Sequence, residues 1–448
     1  MPYILNTPAQ IKEILKELGL SSEEELFSQI PESIKIKEEL FLPGGMSEKE
    51  VSSAVRRIGK QNRNLNEFNS FLGAGLYDHY IPSALKHIIN RSEFYTAYTP
   101  YQPECSQGVL QAIYEYQSFI CLLTGMDVTN ASMYDGATSL AESVLMSLRI
   151  TKKNRILIAK NVHPEYRDVL RTYIKYLDYK LIEVPYNKNG LLDTASLKEL
   201  LDSDTASVVI QNPNFFGLIE DIPEIKSILK DINIKLIVVL NPLSLAILKK
   251  PSEYGADIVC ADGQPLGGDM SFGGPTFGII ATKKEYVRQL PGRIVGRTKD
   301  LEGKDAFCLT LQAREQHIRR QNATSNICSN QSLNAIAAAV YLSLMGKDGL
   351  HKAAIYSLNN AHYLYNEMRK IKGVTLPFSN IFFNEFVWHI DSAKDAAEKL
   401  AKEGILAGVE LHKFYPELSG CILSCCTEKK TKQDIDNFIT ALKNIAHE

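Results

Sequence analysis

The stretch RILIAKNVHP, residues 155–164, decides the fold. Arg155 to Lys160 is an apolar run too short for a helix, and Asn161 and Pro164 cut it off, so it reads as a short, mostly buried strand. Pro164 suits the first position of a following helix. A strand that hands over directly to a helix is the unit of a wound α/β sheet, and the loop between them lies at the carboxyl edge, where open α/β folds bind ligands. His163 therefore stands where an imidazole can stack on a planar cofactor. A histidine that merely caps the helix beside Pro164 is the alternative these residues leave open.

Outward from this stretch the same pattern repeats. YKLIEV (179–184), ASVVIQ (206–211), IKLIVVL (234–240), DIVC (257–260) and TFGIIA (276–281) all read as short buried strands. Leu140, Val144, Leu145 and Leu148 share one face of a helix after Ser139, and Asn189-Gly190 marks a turn before a helix over 194–201. The expectation is a parallel sheet with crossover helices. Residues 8–60 hold charged helix-like stretches with turn signals at Pro31 and Pro43, and Ser47 to Glu50 opens a helix as a capping box. Beyond Asn330 an Ala-rich helix, Leu333 to Leu344, ends at Gly346, and FFNEFVWH (382–389) reads as a strand. The predicted organisation is an N-terminal helical arm (1–65), a large α/β domain (66–330) and a smaller α+β C-terminal domain (331–448).

Composition narrows the function. The 50 basic residues nearly balance the 52 acidic ones, which argues against nucleic acid or an anionic membrane surface as partner and favours a small ligand. No stretch is apolar for long enough to span a bilayer, and the N-terminus lacks the pattern of a secretory signal, so a cytoplasmic protein is expected. The 8 cysteines show neither CxxC pairs nor metal-ligand spacing and read as buried free thiols.

Five loops converge on the carboxyl edge. Asp135-Gly136-Ala137-Thr138 opens a helix with small residues, offering free N–H groups to a phosphate or simply capping the helix. The loop with His163 follows; then Gln211 to Gly217, Asn241-Pro242, and Ala261 to Gly268 leading into the Gly-rich Phe272 to Pro275.

In this order the loops resemble those of the fold-type-I pyridoxal-phosphate enzymes, the aspartate-aminotransferase-like transferases. The resemblance implies a phosphate at the Gly136 turn, a cofactor ring on His163, an Asp after a later strand and a Schiff-base Lys after the next. This chain has Asn241 and Gln264 at those last two places. An amide cannot condense with an aldehyde, and a neutral amide cannot hold a pyridinium charged, so no catalytic residue is expected on this chain alone.

A closer likeness lies in YTPYQPECSQG (98–108), YDGATSLAE (134–142), DGQPLG (262–267), SFGGP (271–275), PGRIVG (291–296) and REQHIRRQNATSNICSNQSL (314–333), which resemble the glycine decarboxylase P-protein family and within it the half-length chains called subunit 1. The resemblance implies a lysine-bearing partner, subunit 2, that holds pyridoxal phosphate covalently. It implies glycine as substrate and transfer of the aminomethyl group to the lipoyl arm of H-protein. Tyr98, Tyr101, Gln102, Glu104 and Gln107 are the candidates for reaching into a shared pocket, with a structural turn at Pro100 and Pro103 as the alternative. Asp135, Gly136, Thr138 and His163 are the candidates for a vestigial cofactor site. Arg293 and Arg297 flank a glycine turn and could pair with a carboxylate or phosphate, though a loop arginine is more often a solvated or interface charge, and Arg314, Arg319 and Arg320 read as helix surface or subunit contacts. Two rivals remain: a self-sufficient enzyme using Lys283 or Lys304, and a purely structural subunit.

Overall fold

The computed structural model describes residues 6–36, 38, 41–230, 233–378 and 381–446; residues 1–5 of the expected arm and the last two of the C-terminal domain lie outside them. Strands form at all six apolar runs: β2 (Arg155–Ala159), β3 (Lys180–Val184), β4 (Thr205–Gln211), β5 (Lys235–Leu240), β6 (Ile258–Asp262) and β7 (Gly278–Thr282). A two-residue strand, β1 (Val128–Thr129), completes a sheet of order β1-β7-β6-β5-β4-β2-β3. β2 to β6 run parallel.

The sequence reading needs correction at one end of this sheet. β7 is antiparallel to β6 and to β1, so the sheet is mixed. Parallel neighbours require a crossover, usually a helix, and no α-helix intervenes between Asp262 and Gly278, so the chain folds straight back. The parallel strands are buried on both faces, as in β4, where every residue but Gln211 is buried. The burial of each such aliphatic side chain is worth about 1.5–3 kcal/mol.

Helices pack on the sheet: α3 (Gln107–Thr124), α4 (Gly136–Thr151) and α5 (Pro164–Ile174). An antiparallel pair, β8 (Ile294–Lys299) and β9 (Asp305–Thr310), lies outside the main sheet. The Ala-rich helix stops at Gly346, as expected: φ 58° and ψ −171° there are not helical and suit only glycine, so α6 (Ser332–Met368) is two helical segments that meet at this break. Its first half packs Ala335, Tyr341 and Leu342 into the core of the large sheet. Its last turns pack Ala361, Leu364 and Met368 into a second core with Trp388 and Phe438. That second core lies under a three-stranded antiparallel sheet, β10 (Glu385–His389), β12 (Cys421–Cys425) and β11 (Val409–Glu410).

The contacts divide the chain into Met1–Arg63 and Asn64–Glu448. The first unit contains the helices α1 (Pro8–Glu17) and α2 (Glu48–Gly59), each opened by a capping box, Thr7 with Gln10 and Ser47 with Glu50. Buried thiols are found at Cys260, Cys421, Cys425 and Cys426, whereas Cys105 and Cys328 are exposed, against expectation, Cys105 at the end of a short surface 3-10 turn and Cys328 in an irregular surface segment.

Candidate functional site

At the carboxyl edge the helix α4 begins with Asp135 as its cap. Thr138 N donates to Asp135 Oδ1 at 2.7 Å, and Asp135 N donates to Thr138 Oγ1 at 3.2 Å. Gly136 N donates to Asp262 Oδ2 at 3.0 Å, and Thr276 Oγ1 donates to the same oxygen at 2.9 Å. Gln264 N supplies Asp262 Oδ1 at 2.9 Å. Burial pushes the Asp262 carboxyl up to about 6, while these donors pull it down.

His163 is buried at the start of α5. Its Nε2 lies 2.8 Å from Ala74 O, and since a carbonyl only accepts, Nε2 carries the proton. Burial lowers the imidazole to about 4, so the ring is neutral near pH 7 and Nδ1 is a bare acceptor without a protein partner. One face of the ring stacks on Tyr166, with centroids 4.5 Å apart and planes 18° apart, and Phe215 meets it edge-on at 4.8 Å.

Asn241 closes the end of β5. Its Oδ1 accepts from Leu243 N at 3.0 Å, and its Nδ2 has no protein partner. Gln264 is 2 % exposed and fully engaged: Tyr77 N donates to Oε1 at 2.9 Å, and Nε2 donates to Tyr77 O and Gly268 O, both at 2.8 Å. A lysine has no acceptor and cannot make this two-sided pairing with a backbone. Glu385, from β10, completes the wall; its oxygens accept from Ala74 N at 2.7 Å and from the Tyr77 hydroxyl at 2.8 Å. Burial raises it to about 7.

What remains among His163, Tyr166, Asn241, Asp262 and Glu385 is a cavity of about 30 Å³. That is room for a water or two, against about 300–1,000 Å³ for ordinary ligand clefts. A ring-and-phosphate group such as pyridoxal phosphate does not fit between these side chains. The structure thus brings together Asp135, Gly136, Thr138, His163, Asn241 and Gln264, and adds Asp262, Tyr166 and Glu385, to which the sequence reading gave no role. For Tyr166 a signal existed, since residues three apart on a helix are neighbours. Glu385 comes from a segment far off in the chain and had none.

The second candidate group lies elsewhere. Tyr98 is 77 % exposed, and Gln102 and Glu104 are exposed too. Tyr101 packs against Arg293 and His317. Gln107 spends its amide inside the chain, with Nε2 donating to Phe307 O and Oε1 accepting from Phe307 N. Arg293 is not solvated: it is 4 % exposed, 3.6 Å from the buried Glu315. Arg314 is half-buried, donating to Leu290 O and Gly292 O, whereas Arg297 pairs with Asp305 at the surface. Lys283 is held by Asp257 at the opposite end of β6 from Asp262, and Lys304 is an exposed partner of Glu302, so neither reaches the cavity. Among the described residues no group of side chains could hold a metal ion, and no helix is long and apolar enough to cross a membrane.

Comparison with known proteins agrees with this architecture. The glycine cleavage system P-protein family matches residues 1–442. A chain of Carboxydothermus hydrogenoformans named probable glycine dehydrogenase (decarboxylating) subunit 1 is 51 % identical, covering 99 % of each chain. One of the same name from Desulfitobacterium hafniense is 48 % identical, covering 99 % of this chain and all of that one. A crystal structure of glycine decarboxylase (P-protein) in inhibitor-bound form superposes with a TM-score of 0.90 at 41 % identity, covering 99 % of this chain and 100 % of that one. Sphingosine-1-phosphate lyase of Burkholderia pseudomallei, at 14 % identity and a TM-score of 0.67 over 93 % of this chain and 94 % of that one, shares the fold. That fold is the fold-type-I pyridoxal-phosphate-dependent one.

Proposed function

From the premise that the chain belongs to the glycine cleavage system P-protein family, as a subunit of glycine dehydrogenase (decarboxylating), EC 1.4.4.2, we propose that it works only beside a lysine-bearing subunit 2. In this reading the partner holds pyridoxal phosphate, which supplies the electron sink for decarboxylation of glycine. The aminomethyl group then passes to the lipoyl arm of H-protein. This chain walls the shared pocket with the exposed segment around Tyr98, Tyr101, Gln102 and Glu104, and Gln107 anchors that segment to β9.

The observation that carries the reading is Gln264, an amide bonded at both ends to Tyr77 and Gly268; the order of the loops puts the family's lysine at this position. The expected result is that the purified chain, given pyridoxal phosphate and H-protein, yields no borohydride-trappable imine and no glycine-dependent CO2 exchange. Adding the partner restores exchange, with the trapped cofactor on the partner alone. Exchange by this chain by itself refutes the proposal. Unchanged glycine kinetics after replacing Tyr98 and Gln102 in the assembled enzyme favours the purely structural subunit.

A further inference from the structure

The closed cleft holds the shape of a ligand made from the chain itself. A ring-and-phosphate ligand at this sheet edge would need a flat face against the histidine and an acceptor on the first N–H groups of α4. The flat face is present: it is the Tyr166 ring, 4.5 Å from His163 and nearly parallel to it. The acceptor is present as well: Asp262 takes Gly136 N and the Thr276 hydroxyl, while Asp135 takes Thr138 N. Tyr166 crosses the slot so closely that a Cβ added to Gly136 would fall 2.2 Å from its hydroxyl oxygen and 2.8 Å from Asp262 N.

We propose that Tyr166 and Asp262 are built-in replacements for a cofactor's ring and phosphate, so that the cleft of this chain is a permanently closed hub of the fold. Two loose ends fit the small space left over. The bare His163 Nδ1 and the unpaired Asn241 Nδ2 belong to residues that line the same cavity. Tyr77, held by Gln264 and Glu385, closes the remaining side. This inference is independent of which subunit bears the lysine.

The test uses the full chain and pyridoxine phosphate, which has the ring and phosphate but no aldehyde to react with surface lysines. Calorimetry and thermal unfolding should show neither saturable binding nor a shift in Tm for the unmodified chain and for Tyr166→Phe, which keeps the flat ring. Tyr166→Ala should unfold about 5 °C lower or more. It should also gain about tenfold or more in affinity for the probe, alone or combined with Asp262→Ala, and recover part of the lost Tm on binding. One-to-one binding by the unmodified chain that His163→Ala abolishes overturns the proposal. So does a folded Tyr166→Ala/Asp262→Ala chain that still refuses the probe. Should the opened variants not fold, the unmodified chain and Tyr166→Phe decide.

Discussion

Arg293 Nη2 donates to the Tyr101 hydroxyl at 2.6 Å, and the guanidinium stands 5.0 Å from the centre of the same ring. One buried cation thus fixes the direction of an otherwise exposed loop, with Glu315 supplying the opposing charge. Arg293→Ala leaves that carboxylate buried without its partner and should cost about 3–5 kcal/mol of stability in urea titrations. Tyr101→Phe keeps the ring over the cation and should cost only about 0.5–1.5 kcal/mol. Equal losses in the two variants would contradict this assignment.

Glu385 gives the fold a pH dependence of definite sign. Its folded-state value, about 7, lies above the ordinary 4.5, so its stabilising contribution is full below pH 4.5 and declines as the pH rises through 7. The loss amounts to about 3 kcal/mol. Glu385→Gln removes the titration, and the difference in unfolding free energy between variant and unmodified chain should grow in the variant's favour from pH 4.5 to 7. Parallel pH curves would show that Glu385 does not titrate in this window.

A lysine at position 264 should not bring in the cofactor. Gln264→Lys removes the acceptor for Tyr77 N and buries a cation beside it, which should destabilise the chain by about 2–4 kcal/mol. Tyr166 still fills the ring slot, so no imine band should appear with pyridoxal phosphate. A stable variant with a borohydride-trappable imine on residue 264 would contradict both points.

Lys283 and Lys304 are separated from the cleft by the length of β6 and by exposure on the β8–β9 turn. Lys283→Ala and Lys304→Ala should leave glycine-dependent exchange by the assembled enzyme within about twofold of the parent, as surface changes away from packed features do. A hundredfold loss in either would return the self-sufficient mechanism to consideration.

Much of this fold was written in local pattern. RILIAK, ASVVIQ and IKLIVVL announce strands because both faces of a central parallel strand are buried, which leaves no alternation to misread. The direction of TFGIIA was not local: it depends on the missing crossover helix. Val128–Thr129 is too short to leave a periodic trace. Gly346 was legible as a helix end, and its non-helical backbone does break the span there; that a second helical segment follows at once, running into the other core, was not. At the site, the placement of His163, Asn241 and Gln264 at one sheet edge was legible because each lies in the loop that follows a strand. The exposure of Tyr98 and the burial of Arg293 were not, since both follow from how the loop at 98–107 meets β8 and β9.

The break in α6 bears on how the molecule comes apart. Because its two segments are joined at Gly346 without a linker, with Tyr341 seated in one core and Leu364 and Met368 in the other, the melting of either core pulls on the segment seated in its neighbour. The region from Asn64 onward should therefore lose its structure in one cooperative denaturant transition, without a separable C-terminal lobe.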